Sequence, residues 1–489
     1  MKRHILSIFF LMISSVLYSE SFEVGKYDGG EYCARNNQKF LKKMYPDYEF
    51  LKTMIHEYER SGDVGSASLY QIPDVDPNYW LNKKMNFSAI RDQFPIFKKL
   101  LHEKPVIYFD SGATAQMPQS VIDAVVEYYQ EYRSNIGRGL YAFAEKSTRM
   151  FELSRSKVAQ FIGAKRNEVI FTSGTTASIN LVLHTWAECN ISQGDEILVL
   201  EVEHNANFIP WWNLAKNKGA VLKRVPLNDR GLIDFDVFKS LLSSKTKLVA
   251  CTQQSNILGI VYDLKPLIKA AHEVGAKVLV DAAQSIVHHK VDVADLDCDF
   301  LAFSGHKMFA PTGIGCLFMK ESLLEECQIC NFGGGMVFAV TPEQIEFKAM
   351  PHCFEPGTQA IAEVIGLGAA VDFMQKNINF DQAQEHETKL VRKLIKFLKT
   401  IPDISILSVI PEENEHVSMV TFSSENHHAY DIAEFLDQHN IAVRAGYHCA
   451  QPYHDKMGGA ATVRVTVTVY NTLEEIDQLI EVLKKMFKA

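Results

Sequence analysis

The sequence predicts an α/β fold, with a large domain built on a mainly parallel sheet and a smaller α+β domain after it. From residue 168 onward, short apolar runs alternate with segments of helical spacing. This alternation favours parallel strands joined by right-handed crossovers. The runs at 278–280 and 300–303 are continuously apolar, as expected for strands buried on both faces of a parallel sheet.

The elements follow from residue type and spacing. Strands of the large domain are predicted at 105–109, 168–171, 196–200, 221–225, 248–252, 278–280 and 300–303. Helices are predicted at 118–133, 146–162, from 177, and at 210–218, 235–242 and 264–274. Pro118 stands at a helix start, a position that proline favours. Residues 331–358 are rich in glycine and aromatic residues and predict loops.

The smaller domain is predicted from its own pattern. It has helices at 362–376, 380–400, 429–439 and 473–487, and strands at 417–422 and 463–468. The domain division is therefore 1–19 as a signal-peptide-like segment, 20–84 as a leader or appended segment, 85–360 as the large domain with an N-terminal arm, and 361–489 as the small domain.

Composition excludes several classes of protein. The chain has 489 residues, of which 47% are hydrophobic, and this is ample for a large core. A net charge of −9 without long basic runs argues against nucleic acid as a partner. The nine cysteines are scattered, and Cys327 and Cys330 form one CxxC without a second pair. We therefore expect neither a metal site nor a disulfide framework.

The N-terminus has the pattern of a secretory signal peptide. Residues 1–4 are basic, residues 5–18 are almost wholly apolar, and Ser19 and Ser21 offer small residues for cleavage. A buried or membrane-anchoring helix is the alternative interpretation. Since no other apolar run approaches the length of a transmembrane helix, we expect no membrane partner for the body of the chain.

The two apolar runs of the large domain lead into Asp281 and Lys307. Ligands collect at the carboxyl ends of parallel strands, so both side chains are predicted to face one crevice. An acid and a lysine placed this way suit pyridoxal phosphate, because the lysine forms the Schiff base and the acid keeps the pyridine nitrogen protonated. A buried ion pair is the alternative. Ser304 and His306 favour the cofactor, because both can hydrogen-bond a phosphate beside the lysine.

Two further segments fit this hypothesis. Residues 172–176, TSGTT, precede a helix and can form a phosphate cradle from backbone N–H groups and hydroxyls. A helix cap without a ligand is the alternative. His204 follows a strand end, where it can stack on a cofactor ring or shuttle protons. An exposed loop histidine explains it equally well.

Seven motifs together carry a resemblance. TSGTT, EHNANFIPW, QQSNILG, VDAAQS, SGHK, FEPGT and RAGYHCA occur in the order and spacing of class V, fold-type I pyridoxal-phosphate enzymes. Within that class, RAGYHCA resembles the signature of group II, Suf-type cysteine desulfurases. The resemblance runs from Met85 to Ala489.

The resemblance implies a role for each matching residue. Lys307 would be the Schiff-base lysine, Asp281 the partner of the pyridine nitrogen, Gln284 the partner of the ring hydroxyl and His204 the stacked ring. The phosphate would be held by Thr175, Thr176, Ser304 and His306, with Thr358 reaching across from a second subunit. The substrate would be bound by Asn256, Arg464 and Arg444. Cys449 would be the nucleophile, activated by His448 or Arg444.

These roles imply conversion of L-cysteine to L-alanine and a persulfide on Cys449, in a homodimer that supplies a Suf-type acceptor for iron–sulfur cluster assembly. The alternatives are a selenocysteine lyase, a kynureninase-like hydrolase, an aminotransferase, an epimerase, or a non-catalytic scaffold that binds an acceptor. Cys449 favours the cysteine desulfurase and the selenocysteine lyase over the other activities, since simple transamination needs no thiol.

The chain also departs from the family pattern. Family members often carry HRGxH where residues 137–141 read GRGLY, so that Gly137 and Tyr141 replace histidines. Tyr447 replaces a further histidine in RAGYHCA, and the segment after FEPGT lacks the usual Pro-Asn. These departures affect substrate details more than the reaction class.

The predicted location must reconcile an N-terminus of the secretory type with an enzyme that carries a nucleophilic thiol. An oxidising compartment would threaten a nucleophilic thiol. A signal peptide followed by residues 20–84 as a targeting segment would instead direct the protein into a plastid-like organelle of the apicoplast type. The alternative is a cytoplasmic enzyme whose translation begins at Met85.

Overall fold

A computed structural model of the chain describes residues 84–101, 103–408, 411–412 and 415–488. The signal-peptide-like segment 1–19 and residues 20–83 of the leader lie outside the described residues. Within the described ranges, no helix combines the length and apolar character needed to cross a bilayer.

The structure contains the following strands and helices. The strands are β1 (Leu100–Leu101), β2 (Lys104–Pro105), β3 (Ile107–Tyr108), β4 (Val169–Thr172), β5 (Glu196–Leu200), β6 (Val221–Val225), β7 (Thr246–Thr252), β8 (Lys277–Asp281), β9 (Phe300–Ser304), β10 (Gly315–Met319), β11 (Val337–Val340), β12 (Ile345–Phe347), β13 (Ile404–Ile406), β14 (Met419–Ser424), β15 (Ile441–Ala442), β16 (Arg444–Gly446) and β17 (Thr462–Thr466). The α-helices are Phe87–Arg91, Gln119–Glu127, Ala142–Ile162, Thr175–Val182, Glu188–Asn190, Ile209–Lys218, Phe235–Leu241, Lys265–Glu273, Ser285–His288, Val293–Leu296, Ile361–Asn377, Phe380–Leu398, Ala429–Asp437, Gln451–Lys456 and Leu473–Phe487.

A seven-stranded sheet forms the centre of the large domain. Its strand order is β4-β10-β9-β8-β7-β5-β6. The strands from β9 through β6 pair in parallel, and β10 is antiparallel to both of its neighbours. The predicted mainly parallel α/β architecture is therefore confirmed. Every residue of β9 is buried, as its continuous apolar run predicts.

The second sheet has the order β13-β14-β17-β16 and pairs antiparallel throughout. Its apolar face packs with the helices Phe380–Leu398, Ala429–Asp437 and Leu473–Phe487. The arm strand β3 pairs in parallel with β15 and so joins this part of the molecule.

The helix Ile361–Asn377 packs on the large domain. It contacts Ala142–Ile162 and Gln119–Glu127, and its buried side chains belong to the same core as the large sheet. The division into domains at residue 360 stays a prediction.

One prediction was wrong. Residues 331–358 were expected to be loops, but β11 and β12 form an antiparallel hairpin within them. Most of the hairpin side chains are exposed, so the alternation of buried and exposed residues that marks a strand in sequence is absent here.

Candidate active site

A cavity of about 220 Å³ opens at the carboxyl ends of β7, β8 and β9. It is lined by Gly112, Ala113, Thr175, Thr176, His204, Ala206, Thr252, Gln254, Asn256, Asp281, Ala283, Gln284, Ser304, His306, Lys307, Arg444, His448, Cys449 and Arg464. The structure therefore brings together every predicted site residue except Thr358.

Asp281 lies at the end of β8, and Lys307 follows the neighbouring parallel strand β9. Asp281 ends β8, and its Oδ1 accepts a hydrogen bond from the Ala283 N–H at 2.9 Å. Burial raises the pKa of Asp281, while Ala283 and the charge of Lys307 oppose the rise. Lys307 ends a short 3₁₀ turn after β9, and burial lowers its pKa to about 8 against the attraction of Asp281. An amine with this pKa is accessible in its neutral, nucleophilic form near neutral pH.

The turn after β4 is built for close approach. The N–H and the hydroxyl of Thr175 contact Ser304 Oγ at 2.8 and 2.7 Å, which joins the helix start to the end of β9. Gly174 has φ +147°, and a Cβ on Gly315 would lie 2.5 Å from Gly174 Cα. The eight-residue helix Thr175–Val182 thus begins at the cavity, which Thr175 and Thr176 line, and the start of a helix suits an anion.

Neutral imidazoles flank the lysine. Burial is the main reason that the pKa of His204 falls to about 3 and that of His306 to about 4, and Lys307 adds to both effects. His204 Nδ1 accepts the Ala206 N–H at 3.1 Å, which fixes its ring at the cavity. The structure therefore favours the ring-stacking interpretation of His204 over an exposed loop histidine.

The buried guanidinium of Arg464 also lines the cavity. Arg464 is 2% exposed, and its Nη1 donates to the Asn256 carbonyl at 3.0 Å. Its Nη2 donates to Asp110 Oδ1 at 3.3 Å. Its Nε has no hydrogen-bond partner among the described residues. Asp110 was not predicted as a site residue, although it directly follows the strand predicted at 105–109.

Cys449 lies on a turn with unusual backbone geometry. His448 and Cys449 have φ +49° and +57°, in the left-handed region that residues with a Cβ rarely adopt. The Asn205 N–H donates to the Cys449 carbonyl at 2.7 Å, and Asn256 Nδ2 donates to the His448 carbonyl at 2.8 Å. Both bonds come from the large domain and hold the thiol at the cavity, with Cys449 partly exposed.

The structure separates the two activators proposed for Cys449. His448 Nε2 contacts Thr462 Oγ1 at 2.9 Å, and burial lowers the pKa of His448 to about 2. Thr462 therefore holds the His448 ring, and the low pKa disfavours the imidazolium that would stabilise a thiolate by charge. Arg444 does line the cavity. Lys307 and Arg464 line the same cavity as Cys449.

Gln284 and Thr358 differ in placement. Gln284 is buried at the cavity, and its Nε2 donates to the Gly112 carbonyl at 2.9 Å. Thr358 is exposed and follows Gly357, whose N–H donates to the Gly334 carbonyl at 2.7 Å. The role of Thr358 at the site of a second subunit stays a prediction.

The residues present fit pyridoxal phosphate. The helix start and the hydroxyls of Thr175, Thr176 and Ser304 would hold the phosphate. Asp281 would hold the ring nitrogen and His204 the ring face, while Lys307 would supply the covalent link.

Comparison with known proteins agrees with this geometry. The family model described as Aminotransferase class-V matches residues 107–479. A probable cysteine desulfurase of Halalkalibacterium halodurans is 41% identical over 402 residues, which cover 82% of this chain and 98% of the relative. A cysteine desulfurase of Cronobacter sakazakii is 39% identical over 400 residues, covering 81% of this chain and 97% of the relative.

Solved structures are similar over the same region. The apo cysteine desulfurase of Thermococcus onnurineus has a TM-score of 0.78 at 35% identity and covers 83% of this chain and 99% of its own. The Escherichia coli cysteine desulfurase CsdA, in its S-sulfonic acid form, has a TM-score of 0.76 at 34% identity and covers the same shares. The chain therefore belongs to the class V aminotransferase family of fold-type I pyridoxal-phosphate enzymes.

Proposed function

We propose that this chain is a cysteine desulfurase that converts L-cysteine to L-alanine and retains the sulfur as a persulfide on Cys449. The observation that carries the proposal is the turn at Cys449, which presents a thiol to the same cavity as Lys307 and Arg464. Transamination does not use a thiol at that position. The bound cofactor would supply an electron sink for the substrate α-carbon.

The residues of the chain divide the remaining work. Arg464 binds the substrate carboxylate, with Asp110 and the Asn256 carbonyl holding its guanidinium in place. Lys307, whose pKa of about 8 is set mainly by burial, takes the α-proton. The Cys449 thiolate attacks the substrate sulfur, so that an S–S bond forms as the substrate C–S bond breaks. The electrons of the broken bond stay with the substrate Cβ, which takes up a proton and becomes a methyl group, and Lys307 then returns a proton to the α-carbon to complete alanine.

The matched variants Cys449→Ser and Cys330→Ser test this function. Both positions are partly exposed cysteines. We expect Cys449→Ser to bind the cofactor normally and to release no alanine from cysteine, whereas Cys330→Ser keeps parent activity. Normal alanine release by Cys449→Ser would contradict the proposal. Cleavage of selenocysteine but not cysteine by that variant would support a selenocysteine lyase activity of the same site.

We also propose that the persulfide passes to a Suf-type acceptor protein for iron–sulfur cluster assembly. The RAGYHCA motif and the partly exposed Cys449 support this group II assignment. A cognate acceptor should raise alanine production without a change in cofactor content. A lack of response to any acceptor encoded beside this chain would count against the assignment.

A homodimer is proposed from the surface around Thr358. The preceding glycine-rich segment and hairpin expose large apolar side chains, with Phe332 69%, Phe338 54%, Val340 61% and Ile345 54% exposed. A second copy would cover this surface and bring Thr358 towards a neighbouring site. Sedimentation should give a dimer for the parent and monomer for Phe338→Asp. A monomeric parent protein would refute the proposal.

For location, we propose import into a plastid-like organelle. Support comes from the apolar run at 5–18 and the additional segment to residue 84. N-terminal sequencing of the native protein should find a chain shortened within the first 84 residues, in an organelle fraction. Intact protein in the cytosol would favour the cytoplasmic alternative.

A further inference from the structure

A buried carboxyl group lies directly behind the cavity at Glu203, the residue before His204. Glu203 is 3% exposed and is not among the residues that line the cavity. Its Oε1 accepts the Thr252 N–H at 2.6 Å, and its Oε2 accepts from Asn207 Nδ2 at 2.8 Å. The carboxyl group therefore connects the end of β7 with the turn that carries His204.

The direction of these hydrogen bonds is fixed by chemistry. The Trp211 indole N–H can only donate, and it donates to Asn207 Oδ1 at 3.0 Å. The NH₂ of Asn207 must then face Glu203. Since the Thr252 backbone amide is also a donor, both oxygens of Glu203 face groups that cannot accept a proton. The site is thus built for the carboxylate, although burial and the charge of Asp281 raise the pKa of Glu203.

The network reaches both sides of the cavity. Thr252 is the register partner of Asp281 across β7 and β8. The 3₁₀ turn Asn205–Asn207 is capped by the His204 side chain. Glu203 therefore connects the strand end beside Asp281 with the turn that orients His204, and Trp211 anchors the network in the helix Ile209–Lys218.

We propose that Glu203 is a positioning residue that sets His204 and Asp281 relative to each other through the hydrogen-bond chain Thr252–Glu203–Asn207–Trp211. It acts on the bound cofactor through these neighbours and does not touch it. The proposal rests on the cofactor of the family and not on the substrate proposed above, so either can fail without the other.

A double substitution tests whether the donor and acceptor directions of these hydrogen bonds are what matters. Glu203→Gln alone places its new NH₂ group against a donor, because both partners of Glu203, the Thr252 N–H and the Asn207 NH₂, are donors. Asn207→Asp alone places two carboxylates together. In the double variant, the new amide oxygen at 203 accepts from Thr252 and the new NH₂ donates to the carboxylate at 207. The other oxygen at 207 accepts from Trp211, so every hydrogen bond is restored.

The readouts are the affinity for pyridoxal phosphate and the visible circular dichroism of the bound cofactor, which reports ring orientation. Both are measured well below the thermal midpoint, where a general loss of stability would leave the dichroism unchanged. We expect each single variant to bind the cofactor at least about tenfold more weakly and to lose dichroism, because Glu203→Gln leaves a buried donor unsatisfied and Asn207→Asp places two buried carboxylates together. The double variant should recover both. Glu188→Gln, at an exposed glutamate, is the control.

Two results would overturn the proposal. The first is parent affinity and dichroism in Glu203→Gln. The second is a double variant that does not recover affinity and dichroism, whether or not its thermal midpoint recovers, because the full hydrogen-bond chain would then be insufficient. If Glu203→Gln does not fold, the double variant alone decides.

Discussion

Replacement of His289 by glutamine should make the stability of this chain less dependent on pH between 7 and 5. Glu387 Oε2 accepts hydrogen bonds from His288 Nδ1 at 2.9 Å and His416 Nε2 at 3.0 Å. His416 Nδ1 contacts His289 Nε2 at 2.9 Å, and His289 Nδ1 accepts from Gln384 Nε2 at 2.8 Å. This cluster joins the helices Ser285–His288 and Phe380–Leu398. All three imidazoles in it are neutral.

The magnitude follows from the buried imidazoles. Burial lowers the pKa of His288 and His289 to about 3 and that of His416 to about 4, whereas an unfolded histidine titrates near 6.5. Below about pH 6.5 the unfolded chain binds more protons, so this stability is present above that pH and is lost as the pH falls. As the pH falls from 7 to 5, a single such histidine lowers the free energy of unfolding by about 2 kcal/mol. The pKa of Glu387 is raised in the folded chain, so the folded chain binds a proton on this carboxylate more readily than the unfolded chain does. Glu387 therefore opposes the loss of stability as the pH falls.

Urea unfolding at pH 7 and pH 5 measures the effect. Glutamine at 289 can accept from Gln384 and donate to His416 without titrating. The loss of unfolding free energy from pH 7 to pH 5 should therefore shrink by about 2 kcal/mol relative to the parent. The control is His184→Gln, at a half-exposed imidazole, which should behave as the parent. An unchanged loss in His289→Gln would refute the reasoning, since position 289 would then contribute no pH dependence.

Three further predictions concern the site. Lys307→Ala should fold normally but lose the visible absorbance of the bound cofactor and nearly all turnover; near-parent alanine production would contradict the assignment. Arg464→Gln should weaken substrate binding about tenfold or more, as expected for loss of a charged hydrogen bond, and an unchanged KM would exclude the carboxylate role. Gly315→Ala should lower both the thermal midpoint and cofactor affinity, because its Cβ would lie 2.5 Å from Gly174 Cα.

The strands that position the site could be predicted because their burial is recorded in their own residues. The run at 300–303 is apolar throughout, and β9 is buried at every position. Parallel strands end at a common edge, so the convergence of Asp281 and Lys307 followed from the predicted topology alone.

The remaining features depend on contacts between distant residues. Asp110 gains its role from Arg464, which is 354 residues away in the chain. The hydrogen bond of His448 to Thr462 and the placement of Glu203 against Thr252 likewise leave no local pattern. The antiparallel strand β10 is apolar in sequence, but its direction is set only by its pairing with β4 and β9.

Mass spectrometry of the peptide containing Cys449 tests the central claim most directly. The holoenzyme is mixed with one equivalent of L-cysteine without an acceptor, quenched, and digested without reductant. We predict one added sulfur atom on Cys449, an equal amount of alanine, and neither product with Lys307→Ala. Alanine formed without added sulfur on Cys449, or with the sulfur on another cysteine, would contradict the account.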